Sequence, residues 1–370
     1  MSFLTILIDD KSPLIQYDSG FNPGVAADDG SADKYFRGTF QRSNVVGSVA
    51  KFSFNGTAVW IYGAKRSNHG NYTVTFDNAN SEYNGSATPD EFQQVLFTQS
   101  GLTQGLHTVS LTNTGPAAGS WFDIDMVAWQ TEFSGTQLMT ETVDDTDTRF
   151  QYQGAAWNTN PTNAILNLFN NGTGHSTSIV DATVTLTFTV STESQNLSIF
   201  MLMVDFILGT VGPGNGLYSV SLDSGQATQY NATAYDTFYE VVLYHADNLG
   251  PGQHQVTLTN LPEANEQTLN IDYALLTSSS SSSNSSSSSG SGSTSGSSSP
   301  TSLSSGAIAG IAVAATVTLS ALAAAFFFYR RWKSAQAVSQ DSSRFNTAQN
   351  SPENANTGAS SSVGDKPCQT

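Results

Sequence analysis

"GLHTVSLTN" (residues 105–113) and "GQHQVTLTN" (residues 252–260) are one phrase written twice, and the repetition assigns the fold. From His107 to Asp125 is 18 residues, and from His254 to Asp272 is again 18. Other landmarks keep step. "ILIDD" (6–10) answers "ETVDD" (141–145), and "FSFNG" (52–56) answers "LTFTV" (186–190). "GAKRSNHGNYTVTFD" (63–77) answers "GTVGPGNGLYSVSLD" (209–223), and "WFDIDMVAW" (121–129) answers "LNIDYALL" (269–276). Self-similarity at matched spacing is the mark of a duplicated unit. The expected units are residues 3–133 and 140–277.

Within each copy, apolar and polar residues alternate with period two in "YTVTFD", "YSVSLD", "HTVSLTN", "HQVTLTN" and "FDIDMVAW", as half-buried strands require. Clusters such as "DSGFNPG", "NTGPAAG" and "LGPGQ" separate them with turn-forming residues. The predicted class is all-β, two tandem jelly-roll β-sandwiches, since about 130 residues of short strands around one core suit that architecture. The copies differ in one stretch. Phe54 to Gly63 is 9 residues, but Phe188 to Gly209 is 21, and "NLSIFMLMVDFIL" (196–208) holds the extra length. Either a genuine insertion or a misread splice junction accounts for it.

The remainder of the 370-residue chain reads differently. Residues 278–305 are almost entirely Ser with Gly and Thr, and such a segment cannot bury enough apolar surface to fold. It is expected to be a disordered stalk. Residues 306–329 carry no charge over 24 positions, enough to span a hydrocarbon core of about 30 Å. "RRWK" follows, and basic flanks mark the cytoplasmic side. The expected protein is single-pass in the plasma membrane, with residues 330–370 as a disordered cytoplasmic tail. Gly306 and Gly310 form a GxxxG step that can bring two helices close, so a homodimer through them is one expectation. "MSFLTILIDD" lacks the basic and small-residue features of a signal peptide. Either the start is truncated or the single span directs translocation.

Seven N-x-S/T sequons, at Asn55, Asn71, Asn84, Asn171, Asn196, Asn231 and Asn284, all precede the span, as extracellular glycosylation would have them. Before residue 330 there are 27 Asp and Glu against 8 Lys and Arg, a net charge of −19. That polyanion excludes nucleic acid, whose binding rests on a basic footprint. The one cysteine, Cys368, rules out an intrachain disulfide and a cysteine zinc site.

The order of motifs resembles galactose-binding-like jelly rolls and related carbohydrate-binding modules. It runs from Asp-Asp near the start through F-x-F-x-G-T-x-V-x-I-Y-G and G-x-H-x-V-x-L-T-N to [DN]-I-D before an apolar strand. The whole layout resembles single-pass membrane proteins of mushroom-forming fungi. The resemblance implies contact with cell-wall or extracellular glycans.

Three sets of residues are candidates for chemistry. In "WIYGAKRSNHG", Val59 and Ile61 share the core parity, leaving Trp60 and Tyr62 to face outward beside Lys65, Arg66, Asn68 and His69. Aromatic faces stack on sugar rings while polar neighbours bond hydroxyls, so these six form a candidate glycan site. The second copy has "TVGPGNG" there, which confines the site to the first. Asp9, Asp10, Asp123 and Asp125 in the first copy, and Asp144, Asp145 and Asp272 in the second, converge if first and last strands run side by side. Several carboxylates can hold a structural Ca²⁺, or else cap strand ends. Asn270 stands in for the counterpart of Asp123. His107 and His254 are expected to pin a turn and a strand edge. With no nucleophile elbow, HExxH or compelling carboxylate pair, the chain is expected to be no enzyme. It is read as a glycan-binding surface protein. The alternatives are a wall-stress sensor using the domains as spacers, and a membrane-tethered glycoside hydrolase.

Overall fold

The alternation read in the sequence appears directly as burial. In "TVTLTFTV" (183–190) Val184, Leu186, Phe188 and Val190 are buried and the threonines between them are not. The computed structural model describes residues 2–281 except 116–119, 134–136, 154–156, 160, 162–165 and 191–197. Residues 278–281, expected to begin the disordered stalk, instead end the strand Leu269–Ser281, where backbone pairing with neighbouring strands holds them. The rest of the stalk, the span and the tail, with Gly306 and Gly310, lie outside the described residues, as do Asn196 and Asn284. Among the described residues no helix is long and apolar enough to cross a membrane. Apart from four single-turn 3-10 helices, the elements among the described residues are strands.

The first half contributes β1 (Ser2–Asp9), β2 (Gln16–Tyr17), β3 (Asn22–Gly24), β4 (Phe40–Ser43), β5 (Val49–Lys65), β6 (Asn71–Phe76), β7 (Ala79–Asn84), β8 (Glu91–Asn113), β9 (Phe122–Ile124) and β10 (Met126–Phe133). The second contributes β11 (Gln137–Asp144), β12 (Phe150–Gln153), β13 (His175–Thr177), β14 (Thr183–Val190), β15 (Ser198–Val211), β16 (Leu217–Leu222), β17 (Thr228–Asn231), β18 (Phe238–Leu249), β19 (Gly252–Asn260) and β20 (Leu269–Ser281).

The duplication is visible in the pairing, which is antiparallel between these strands. In the second half one sheet runs β11-β20-β15-β18 and the other β12-β14-β19-β16-β17. In the first half the equivalent layers are joined, because β5 and β8 pass through both. The sheet runs β1-β10-β5-β8-β6-β7, with β3-β4-β9 as a small separate sheet. The β5–β8 register shifts between Gly56 and Ala58. A Cβ at Gly56 would lie 2.3 Å from the Gln130 carbonyl oxygen, so only glycine lets the strand fold over there. In the second copy the equivalent strands, β14 and β15, belong to different sheets.

Each half has its own core. Phe52, Phe54, Tyr72, Phe97, Phe122 and Trp129 give the first an aromatic filling. Val184, Leu186, Val256, Leu258, Ile271 and Ala274 give the second an aliphatic one. Full burial of such side chains contributes about 1.5–3 kcal/mol each. In both cores a buried tyrosine hydroxyl donates to a backbone carbonyl at 2.7 Å, Tyr72 to Leu96 and Tyr218 to Leu243.

The halves are docked as well as linked. Ser12 Oγ donates to the Val242 carbonyl at 2.7 Å, and Asn248 Nδ2 donates to Thr131 Oγ1 at 3.0 Å. Val242 enters the first core, and the His245 ring meets Trp129 edge-on at 5.0 Å.

Candidate functional site

The histidines of the repeated phrase sit in identical surroundings. His107 places Nδ1 2.9 Å from Asp77 Oδ2 and Nε2 3.1 Å from the Thr103 carbonyl. His254 places them 2.7 Å from Asp223 Oδ2 and 2.7 Å from the Gly250 carbonyl. Asp77 and Asp223 lie in the left-handed region, at φ 50° and 51°, and each also accepts a backbone N–H of the β8 or β19 edge. Burial lowers both imidazole pKa values, but the carboxylate and carbonyl acceptors outweigh it and hold them above the ordinary value. His107→Gln is expected to cost about 1 kcal/mol of stability and leave sugar binding unchanged. A loss of sugar affinity beyond tenfold in titration calorimetry would show that this histidine does more than pin a turn.

The expected acidic clusters do converge, since β1 lies beside β10 and β11 beside β20. Asp9 pairs with Lys11 Nζ at 2.5 Å, and Asp10 accepts from Thr39 Oγ1 at 2.7 Å. Asp125 accepts the Phe36 N–H at 2.8 Å. In the second copy Asp145 accepts from Thr173 Oγ1 at 2.7 Å and contacts His175 Nδ1, while Asp272 accepts the Asn170 N–H at 2.8 Å. Asp144 accepts from Asn170, Asn171 and Thr146 side chains. The donors are protein groups, and no three His, Cys, Asp or Glu among the described residues are arranged to hold a metal ion. Asp125 and Asp272 are buried, with one carboxyl oxygen each left without a partner.

Asp123, beside that cluster, has hydrogen-bond partners of its own. It is 1% exposed, and it accepts three donors: the Ala64 N–H at 2.6 Å on Oδ1, and the Tyr35 hydroxyl at 2.6 Å and His69 Nε2 at 2.8 Å on Oδ2. His69 Nδ1 lies 2.9 Å from Asn68 Oδ1. Burial first, then the negative charge of Asp123, pushes the Tyr35 hydroxyl far above its usual pKa, so it stays a donor.

This polar core forms the floor of a recess of about 340 Å³, in the range of small-molecule sites. One wall is the loop after β5. The Arg66 N–H donates to the Gly85 carbonyl, the Ser67 N–H donates to Asp90, and the Trp121 N–H donates to the Asn68 carbonyl at 3.0 Å. Gly70 makes the approach possible, since a Cβ there would lie 2.6 Å from Ser120 Cβ. The other walls are Asp28, Asp29 and Gly30 from a turn, Phe40 and Arg42 from β4, and Trp121.

The charges in the recess are paired. Arg42 bonds Asp28 at 3.1 Å and lays its guanidinium 4.9 Å from the Trp121 ring. Arg66 pairs with Asp29 and, at 3.1 Å, with Asp90. Burial opposes ionisation of Asp29, but the Arg66 and Ser31 donors outweigh it and lower its pKa. Arg42 Nε is buried with no hydrogen-bond partner.

Of the six residues expected to form a glycan site, Arg66, Asn68 and His69 line this recess. Trp60, Tyr62 and Lys65 do not. Trp60 and Tyr62 are half-buried on the outward face of β5, opposite Ala128 and Met126, while Val59 and Ile61 point into the core. Asp28, Asp29, Arg42 and Trp121 were missed by sequence reasoning. Among the sequons, Asn84, Asn171 and Asn231 are exposed, and Asn55 and Asn71 are half-buried.

The second copy lacks this recess chemistry. The parallel bridge His69–Trp121 corresponds to Asn215–Thr268, which makes Asn270 the counterpart of Asp123. Asn270 donates to Thr210 Oγ1 at 2.7 Å, where Thr210 replaces Ala64. Gly212 and Gly214 stand where the first copy has Arg66 and Asn68.

No family model matches this chain. It is 25% identical over 256 residues to an A type blood α-D-galactosamine galactosaminidase of Flavonifractor plautii, covering 66% of this chain and 21% of that protein. It is 28% identical over 109 residues to an A type blood N-acetyl-α-D-galactosamine deacetylase of the same organism, covering 30% of this chain and 13% of that one. Among solved structures it is similar to Paenibacillus xanthan lyase, at 16% identity and a TM-score of 0.27, over 73% of this chain and 26% of that one. The chain thus spans about a fifth or less of the curated relatives it matches. These relatives overturn the expectation that the chain is no enzyme, because both curated ones are named for reactions on sugars. That expectation rested on the lack of a linear catalytic motif. The curated proteins that this chain resembles are glycan-acting.

Proposed function

We propose that this protein engages glycans in the first-sandwich recess, as part of glycan processing at a cell surface. The observation that carries the reading is the meeting of the Trp121 ring, the unpartnered Arg42 Nε and the Asp28, Asp29 and Asn68 side chains in one recess. A ring face covers a sugar face, and the surrounding donors and acceptors match its hydroxyls. The names of the two curated relatives make α-linked galactosamine and its N-acetyl form the first sugars to try. The Ser-rich residues beyond 281 and the apolar segment 306–329 would then hold residues 2–281 outside the membrane.

The test is titration of the full chain with A-type oligosaccharides ending in N-acetylgalactosamine or galactosamine, and with fungal wall glucan and chitin oligosaccharides. Binding in the micromolar-to-millimolar range is expected, and Trp121→Ala or Arg42→Ala should weaken it at least tenfold. Release of galactosamine or acetate is followed in the same samples. Binding that Trp121→Ala and Arg42→Ala leave unchanged would sink the assignment of the site.

A further inference from the structure

A second and larger hollow, of about 590 Å³, opens where the two sandwiches meet. One side comes from the segment after β1, including Tyr17, and from Gln41 of β4. The other comes from β17 and the residues following it, including Gln229, Tyr230 and Tyr235. The docking contacts at Ser12–Val242 and Asn248–Thr131 hold both sides in place, so the cleft exists only because the copies are joined.

Its chemistry is that of a neutral, hydroxyl-rich ligand. Three tyrosines and four side-chain amides line the walls beside apolar residues such as Ile15, Phe21 and Leu217. The charges are already occupied: Lys11 sits against Asp9 and Asp10 and 4.7 Å above the Phe238 ring, and Asp18 accepts the Gly20 and Val49 N–H groups. A polyanion would meet Asp10 and Asp18 with no free cation lining the cleft among the described residues. The Tyr17 hydroxyl is buried without a hydrogen-bond partner. A buried polar group normally has one, and this one belongs to a residue that lines the cleft. We infer that the junction cleft is a second glycan site, taking an uncharged oligosaccharide across both copies, independent of the first-sandwich recess.

The experiment uses the full chain made without N-glycosylation, because the Asn231 sequon lies on the cleft wall and an attached glycan would compete. Neutral hexasaccharides of β-1,3-linked glucose, β-1,4-linked glucose and N-acetylglucosamine are titrated by calorimetry, beside A-type oligosaccharides and a pool of neutral heptapeptides. A hexasaccharide site that survives Trp121→Ala is expected. Tyr17→Phe, which removes one buried oxygen, should weaken that site about 3–10-fold without shifting the melting temperature, and Tyr235→Ala should weaken it about tenfold. Tyr235 is 43% exposed, so its truncation leaves the fold intact. If all sugar binding disappears with Trp121→Ala and ignores both tyrosine variants, the cleft inference is overturned and the recess reading stands. If binding responds only to the tyrosine variants, the recess reading fails and the cleft stands. Heptapeptide binding that the tyrosine variants weaken, with no sugar bound there, would overturn the glycan assignment, as would no binding by any probe.

Discussion

Asp123→Ala should be among the most destabilising single substitutions in the first sandwich, lowering its stability by about 3–5 kcal/mol. The carboxylate is buried, and it is the shared acceptor of the Tyr35 hydroxyl, His69 Nε2 and the Ala64 N–H. Alanine would strand all three donors where water reaches poorly, and each stranded group costs about 1–3 kcal/mol. For a unit of this size the melting temperature should fall by roughly 10 °C. Sugar binding in the recess should disappear, because His69 loses the group that orients it and Asp123 itself lines the recess. Asp123→Asn keeps one acceptor oxygen and should fall between the two. The second copy shows what removal of the whole set looks like: Phe169 lies where Tyr35 does, Asn215 where His69 does and Asn270 where Asp123 does. A melting temperature within 2 °C of the parent for Asp123→Ala would refute the account of this cluster.

A mildly acidic optimum of stability is the second expectation. Burial, partly offset by the Phe36 N–H and reinforced by Asp9 and Asp123, pushes the Asp125 carboxyl up to about 8. Burial, offset by the Asn170 N–H and reinforced by Glu240, Asp145 and Asp144, pushes Asp272 up to about 7. In the unfolded chain both ionise near the ordinary value of about 3.9. The folded protein therefore binds more protons between about pH 4 and pH 7–8, and its stability must fall as pH rises through that window. The loss is on the order of 3–5 kcal/mol for each group. His107 and His254 act with the same sign. Their raised pKa values contribute stability that is present below about pH 6.5 and is lost as pH rises through the folded values. On the acid side, Asp77, Asp223 and Asp144 have lowered pKa values, so their contribution is lost as pH falls below about 4. Urea denaturation at pH 4.5, 6 and 8 should show the protein most stable at the lower two values. Asp125→Asn should exceed the parent at pH 8, since the amide keeps the Phe36 bond without the buried charge. Stability that is level or rising from pH 5 to 8 would contradict the assignment.

These two expectations draw on features of unequal legibility. The duplicated phrase, the equal steps from His107 to Asp125 and His254 to Asp272, and the burial parity of Val59 and Ile61 are local properties. A strand alternates every second residue wherever it lies, and a duplication keeps its spacing until loops change. Asp9 and Asp10 could be brought to Asp125 on paper, because first and last strands commonly pair. The recess was only half visible. Arg66, Asn68 and His69 stood out as basic and polar residues in an acidic chain. Arg42 and Trp121, far from them along the chain, gave no sign in their own neighbourhoods. One signal was present: Arg66, Trp121 and Asp123 fall where the aligned copies carry Gly212, Thr268 and Asn270.

The all-β class, the twofold repeat, the turn-pinning histidines and the paired acids belong to the sequence, because they depend on short-range periodicity and spacing. The recess, the junction cleft and the buried, proton-holding Asp125 and Asp272 belong to the tertiary structure. They exist where β4, the loop after β5 and the segment around Trp121 come together, or where one sandwich closes on the other. Strand register and domain docking set those distances, and neither is encoded in any single stretch of residues.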